Sequence, residues 1–167
     1  GDMIEMYEIA IRPEDNFETM HDKLADLGAY ALLSTIKVIA SGNVKRYKQD
    51  DSLSTYAAKI EKSDCLLDFS KDATVLHDLI RGLSPIPLTF THTPDGKLLK
   101  IVESRVIDAE KVSDKPCGTV ISVGEDIRVA CGKGILSFLT VVPEGKGRMG
   151  AADFVRGRKI AEGDLLS

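Results

Sequence analysis

The hydrophobic pattern of this chain changes at Pro87, and that change constrains the fold more than any other feature. Before Pro87, apolar residues recur at steps of three and four over residues 15–40, which is the period of an amphipathic helix. After Pro87, short apolar runs alternate with glycine-containing turns, a pattern typical of β-strands. The chain is therefore predicted to be α+β, with helices in its first half and antiparallel strands in its second.

The first half is predicted to begin with a strand and a long helix. Residues 3–11 alternate imperfectly between apolar and acidic side chains, as a half-exposed strand does. The helix then runs from Asp15 or Asn16 to Ala40, and Ser41-Gly42-Asn43 ends it. Residues 1–42 are accordingly interpreted as one structural region.

A linker and a second helix follow. Residues 43–70 are polar and show little periodicity, and a loop of that length is unusual inside one compact domain, so we interpret them as an interdomain linker. A short helix is predicted over residues 71–82, with Ser70 and Asp72 near its start as candidate caps. The two prolines of Ser84-Pro85-Ile86-Pro87 end this helix.

The remaining residues are predicted to form five short strands. The turn Pro94-Asp95-Gly96 separates the first two and is a hairpin signal. Several short strands within about 80 residues are what a small Greek-key barrel of the oligonucleotide- and oligosaccharide-binding type (OB-like) requires. Residues 71–167 are therefore assigned to an OB-like barrel domain with a leading helix. The predicted strands are residues 88–92, 98–106, 118–123, 126–131 and 135–142.

Charge is divided unevenly along the chain. Residues 1–86 carry 10 Lys and Arg against 15 Asp and Glu, whereas residues 87–167 carry 12 against 11. The second half is thus the better candidate for binding a polyanion, and it must do so through local patches. No apolar run approaches the ~18 residues that a membrane span needs, so the sequence predicts no membrane partner and a cytoplasmic location.

The cysteines and histidines favour neither a disulfide framework nor a metal site. Three cysteines and three histidines are scattered without any Cys-x-x-Cys or His-x-x-x-His spacing. His21 and His77 fall inside the predicted helices, and the aspartate that follows each should point about 100° away from it. We therefore predict no catalytic histidine and no metal site in this chain.

Residues 144–159 form the most basic segment, with five cationic side chains and two carboxylates. A local positive excess on a chain of net charge −4 attracts phosphate groups. Its first residues, EGKGRMGAADFVRG, resemble the signature E-G-K-x-R-M-x-A-x-D-F-x-x-G of the methionyl-tRNA formyltransferases.

Other motifs extend this resemblance over nearly the whole chain. Residues 50–60 (DDSLSTYAAKI) are similar to the family's linker Q-D-x-x-x-A-T-Y-A-x-K-I, and residues 80–87 (IRGLSPIP) to its I-R-A-F-N-P-W-P. The chain departs from the family pattern at Phe69 and Ile86, where the family has tryptophan, and at Cys117, where it has proline.

The resemblance implies a binding role without the catalytic site. Gly1-Asp2-Met3 is similar to the end of the family's L-D-T-G-D-M motif, so the catalytic Asp, Asn and His and the folate site would lie upstream. The implied parent enzyme transfers a formyl group from 10-formyltetrahydrofolate to initiator methionyl-tRNA. We expect residues 1–42 to be the end of its catalytic domain, and we expect the isolated chain to bind no cofactor and to have no transferase activity.

The implied partner is initiator tRNA, not DNA, held mostly through its backbone. Such contacts call for lysine and arginine side chains. The positions that match the family's motifs or their surroundings are Lys59, Lys62, Arg81, Lys146, Arg148, Arg156 and Arg158.

Two other readings of the sequence remain open. One is a fragment of a sugar-nucleotide formyltransferase, whose downstream domain is also barrel-like, and the other is a stand-alone interaction module. Without the rest of the catalytic domain, apolar positions such as Met3, Ile9 and Phe17 are expected to be exposed, which predicts self-association or poor order in residues 1–42.

Overall fold

The change of pattern at Pro87 is visible in the structure, a computed structural model that describes residues 1–157 and 159–167. Its helices precede Pro87 except for one short C-terminal helix, and all its strands follow Pro87. The chain divides into two units, Gly1–Lys59 and Ile60–Ser167. The predicted α+β class is therefore confirmed at the level of helices and antiparallel strands.

The first unit is built around one long helix, α1, which spans Phe17–Ala40. Asn16 caps it: the Asn16 side chain accepts the Thr19 N–H at 2.9 Å, and the Thr19 hydroxyl accepts the Asn16 N–H at 3.0 Å. None of the residues of α1 is buried. A 3₁₀ turn at Asp51–Leu53 follows. None of the described helices is long and apolar enough to cross a bilayer.

The strand predicted over residues 3–11 does not form, so this part of the prediction is wrong. Of these residues, only Met3 pairs, and it exchanges two main-chain hydrogen bonds of 2.8 Å with Tyr47. A strand needs a hydrogen-bonding neighbour along its length, and the described residues of this unit supply one only at Tyr47. Ile9 and Phe17 are exposed, at 38% and 53%.

The second unit begins with a 3₁₀ turn, Lys62–Cys65, and the helix α2, Ala73–Gly82. The helix was predicted, and Asp72 occupies its N-cap position, but the Asp72 side chain makes no capping hydrogen bond. The Ser70 hydroxyl donates to Asp68 at 2.6 Å instead of capping α2, and the Ala73 N–H donates to the Lys133 carbonyl at 2.8 Å. A tertiary contact therefore satisfies the first donor of this helix.

Six antiparallel strands form one sheet in the order β1-β2-β5-β4-β3, with β6 added beside β5. The first five lie close to their predicted positions, because alternation and turns identify them. The strands are Thr89–His92 (β1), Leu98–Asp108 (β2), Val120–Val123 (β3), Ile127–Ala130 (β4), Ile135–Pro143 (β5) and Met149–Gly150 (β6). A last helix, α3, spans Ala151–Arg156.

The C-terminal segment contacts both outer strands of the sheet. Its Leu166 N–H donates to the Gly118 carbonyl at 3.0 Å, next to β3. The His92 N–H of β1 donates to the main-chain oxygen of Ser167 at 2.7 Å. Among the described residues, however, β1 and β3 do not pair with each other, so the observed architecture is a six-stranded antiparallel sheet.

The second unit has one main hydrophobic core and a small second cluster that contains Cys65. Ala73, Leu76 and Ile80 on α2 are fully buried, and they pack in one cluster with sheet residues such as Leu99 and Phe138. Burial of such side chains supplies most of the favourable free energy of folding. The segment before α2 adds the buried side chains of Cys65, Leu67 and Phe69.

We predict that Gly132→Ala destabilises the second unit by about 2 kcal/mol or more. A Cβ atom at position 132 would overlap the Ser70 carbonyl oxygen, which is backbone and cannot rotate away. Urea denaturation measures the loss. The matched control is Gly124→Ala, because a Cβ atom there meets nothing within 4 Å. Equal stability of the two variants would contradict the predicted contact.

Candidate nucleic-acid interface

The basic segment 144–159 has structural and exposed parts. The Glu144 carboxylate accepts the Leu98 N–H at 2.9 Å, and the Glu144 N–H donates to the Leu98 carbonyl at 2.9 Å. Ala151 and Phe154 are buried in the core, and Met149 packs against it. Several residues of the signature thus anchor this segment to the sheet and leave its lysines at the surface.

The strand β6 and the helix α3, which lie within this segment, were not predicted. They contain two and six residues, which is too short for either period to be read from the sequence. Met149 and Phe154 are large apolar residues that flank several small ones, and this pattern could have indicated a buried segment.

Lys146 lines a cavity of about 130 Å³ at the end of the β1–β2 hairpin. Two other lysines, Lys97 and Lys159, also line it. Its carboxylates are already engaged, since Asp95 pairs with Lys97 at 2.6 Å and Glu144 bonds the Leu98 N–H. Among the residues described, neither Lys146 nor Lys159 has an ion-pair partner.

Lys62 lines a larger neighbouring cavity of about 320 Å³. Its ammonium nitrogen lies 5.8 Å from the centroid of the Phe90 ring, which is cation–π distance. Lys100, opposite Phe90 in the β1–β2 register, lines the same cavity. Like Lys62, it has no ion-pair partner in the part of the chain that the structure describes.

The two cavities share Leu98, so the lysines that line them lie on one continuous surface. We name this surface the basic strip. Its members are Lys62, Lys97, Lys100, Lys146 and Lys159. The sequence pointed to Lys62 and Lys146 as binding residues. It missed Lys97, Lys100 and Lys159 as binding residues, although Lys100 stands between the apolar Leu99 and Ile101, as an outward residue of a strand does.

The described arginines of the predicted set are paired with carboxylates. Arg81 bonds Asp78 at 2.8 Å, Arg148 bonds Glu103 at 2.6 Å, and Arg156 bonds Asp153. Pairs as exposed as Arg148–Glu103, at 56% and 51%, contribute only about 0–1 kcal/mol, so a phosphate can compete for the arginine.

Two predicted residues remain, Lys59 and Arg158. Lys59 is exposed and belongs to the first unit. Arg158 lies outside the described residues.

The histidines differ from one another. The prediction that each adjacent aspartate points away is wrong for His21, whose Nδ1 lies 3.1 Å from Asp22, because exposed side chains can bend toward each other. The same prediction holds for His77, whose Nδ1 contacts the Ser104 hydroxyl at 3.0 Å. Burial lowers the pKa of His77. No metal-binding group of His, Cys, Asp or Glu exists among the described residues.

None of the three cysteines forms a disulfide. Cys65 and Cys131 are buried, and Cys117 is exposed. Burial raises the pKa of the Cys131 thiol to about 12, so it stays protonated and unreactive at neutral pH.

Comparison with known proteins gives a family match over most of the chain. The family described as "Formyl transferase, C-terminal domain" matches residues 59–159. The chain is 40% identical over 167 residues to the methionyl-tRNA formyltransferase of Geotalea daltonii and 41% identical over 168 residues to that of Bacillus subtilis. Each comparison covers 99% of this chain and 52% of the relative. The chain thus spans about half the length of these curated relatives.

Solved structures support the fold. HypX from Aquifex aeolicus, in complex with tetrahydrofolic acid, aligns with a TM-score of 0.65 over 93% of this chain and 27% of HypX. The identity is 12%, so the likeness concerns the fold alone.

We predict that the carboxyl group of Asp95 has a pKa of about 2, because the Lys97 ammonium and the Thr93 hydroxyl both bond its charged form. A lowered pKa means that Asp95 stabilises the fold above pH ~4 and that this contribution is lost as the pH falls through about 2. Lys97→Met should raise the pKa toward the ordinary value of about 3.9. An NMR titration of the side-chain carboxyl carbon measures both values, and a value near 4 in the unmodified chain would refute the pairing.

Proposed function

On the premise that this chain belongs to the formyl transferase C-terminal domain family, we propose that it is the tRNA-binding half of a methionyl-tRNA formyltransferase. Its role is to hold initiator methionyl-tRNA so that the aminoacylated end reaches the catalytic half. The observation that carries the proposal is the basic strip, in which Lys62, Lys100, Lys146 and Lys159 have no ion-pair partner among the described residues.

Unpaired lysines on one surface suit a polyanion whose sequence is not read. Phosphate contacts position a nucleic acid and carry most of the affinity, while base contacts specify sequence. We propose that the strip makes the first contacts and that Arg81, Arg148 and Arg156 exchange their carboxylate partners for phosphates. Lys59 and Arg158 complete the proposed set on the ground of the sequence resemblance.

The chemistry is assigned to the rest of the parent enzyme. We propose that the parent transfers a formyl group from 10-formyltetrahydrofolate during translation initiation in the cytoplasm. Residues 1–42 are proposed to complete its catalytic domain, and residues 43–70 to be the linker. Residues 71–167 are proposed to form the tRNA-binding domain.

We further propose that the sheet of the second unit is an OB-like Greek-key barrel. In support, the C-terminal segment bonds β1 at His92 and β3 at Val120, whose N–H donates to the Asp164 carbonyl at 2.8 Å, so main-chain hydrogen bonds link both outer strands to this segment. An OB-like barrel offers a strand face and loops to a nucleic acid, which agrees with the position of Lys97 between β1 and β2 and of Lys100 on β2.

The proposed phosphate contacts predict steep salt dependence. The full chain should bind initiator tRNA with a log–log salt slope of about −0.7 to −0.9 per phosphate neutralised. Lys100→Met and Lys146→Met together should make that slope less steep by about 1.5, because two phosphate contacts are lost while the apolar stems remain. Fluorescence anisotropy of labelled tRNA at several salt concentrations measures the slope.

The matched control is Lys111→Met with Lys115→Met, two lysines that line a different cavity. This pair should leave the slope unchanged. An unchanged slope in the Lys100/Lys146 variant, or an equal loss in the control, would count against the basic strip as the binding surface.

The isolated chain is expected to form no formylmethionyl-tRNA from 10-formyltetrahydrofolate, since the proposed catalytic residues belong to the other half. Acid gel electrophoresis of the tRNA after incubation tests this. Product formed at a rate proportional to chain concentration would refute the division of roles.

A further inference from the structure

The larger cavity on the basic strip has walls that phosphate binding does not need. Ile60, Leu88 and Phe90 give it an apolar lining, and Leu98 separates it from the smaller cavity. Its volume of about 320 Å³ lies at the lower end of the range of roughly 300–1,000 Å³ found for small-ligand sites. Such a space suits a flat organic group of the size of a nucleoside.

One wall of the cavity is a strained residue. Leu88 has φ of +71°, and it is the one non-glycine residue with a positive φ in the described part of the chain. Its N–H donates to the Leu83 carbonyl at 2.9 Å, which holds this conformation. Backbone strain of this kind concentrates at binding sites, because it persists only where the surrounding structure enforces it.

The charges of the cavity complement a phosphate. Among its lining residues, Lys62 and Lys100 are cationic and Glu61 is acidic, so the balance is positive. Lys62 also covers the Phe90 ring, which is 8% exposed and packs against Cys65 and Leu83. The long Lys62 side chain can swing away from the side of the ring that lines the cavity. An apolar ligand would form no ionic contact with the two lysines, and a free phosphate would form no contact with the apolar walls.

We propose that this cavity binds one unstacked nucleotide of the bound RNA. The base lies against Leu88 and the Phe90 ring, and the phosphate pairs with Lys62 and Lys100. This inference rests on the proposed function, because it assigns a base-binding subsite to the same tRNA surface. Stacking of bases on aromatic side chains tolerates any base, so the subsite adds affinity without reading sequence.

Two probes that differ only in the base test the subsite. Adenosine 5′-monophosphate and ribose 5-phosphate are titrated separately into the full chain with ¹³C-labelled Ile and Leu methyl groups. The nucleotide should shift the methyl signals of Ile60, Leu88 and Leu98 and should bind about tenfold more tightly than the sugar phosphate. Equal affinities, no binding of the nucleotide, or shifts elsewhere would overturn the proposal.

An exposed wall residue supplies the variant. Ile60 is 52% exposed, so Ile60→Ala removes apolar wall without opening the core, and we expect about fivefold weaker nucleotide binding. Ile86→Ala is the matched control, because Ile86 is 75% exposed and does not line the cavity. A thermal melt of each variant confirms that it is folded. Equal losses in both variants would count against the cavity.

Binding of initiator tRNA separates this inference from the proposed function. Ile60→Ala should weaken tRNA binding about fivefold and leave the salt slope unchanged, because no ionic contact is lost. Steep salt dependence with no effect of Ile60→Ala would refute the subsite and leave the proposed function intact. If the chain does not bind tRNA at all, both fail. Binding of the free nucleotide without any effect of Ile60→Ala on tRNA would assign the cavity to a mononucleotide, which also overturns the proposal.

Discussion

The pairing of β2 with β5 is the interaction on which the rest of the second unit depends. These are the two longest strands, and each carries other strands: β1 pairs with β2, and β4 and β6 pair with β5. Leu99, Ile101 and Val141 face inward from this pair and are fully buried, so they fix its register against the core. The register of this pair shifts near Glu103 and Asp108, and such bulges are the usual means by which a strand pair bends and twists.

Helices and strands that local sequence determines were predicted well. Features that depend on contacts with distant parts of the chain were not. The helix α1 follows from its period, and five strands follow from alternation and turns. The prediction of a strand over residues 3–11 was wrong. Alternation of apolar and acidic residues does not indicate whether a neighbouring strand is present to pair with it. The start of α2 was misread for a similar reason, since its first donor is satisfied by the distant Lys133 carbonyl.

The binding site was predicted only in part, because residues that are close in the sequence are not always close on the protein surface. The segment 144–159 was read as one basic patch, yet Glu144 and Phe154 serve the fold, and Arg148 and Arg156 are paired with carboxylates. The β1–β2 register places Lys100 opposite Phe90, and Lys62 reaches the same ring from a 3₁₀ turn 28 positions earlier in the chain. A tertiary contact of that kind is not available from motif spacing.

The position of the basic strip follows from the same pairing. Glu144, just past the end of β5, bonds the main chain of Leu98 at the start of β2, so the loop with Lys146 is fixed against the hairpin with Lys97 and Lys100. A loop whose main chain is already held in place loses less conformational freedom on binding than a mobile one. On a chain of net charge −4, a few such lysines give an attraction that salt weakens easily. An apolar contact beside them adds affinity that salt does not remove, and the cavity bordered by Leu88 and Phe90 is placed to supply it.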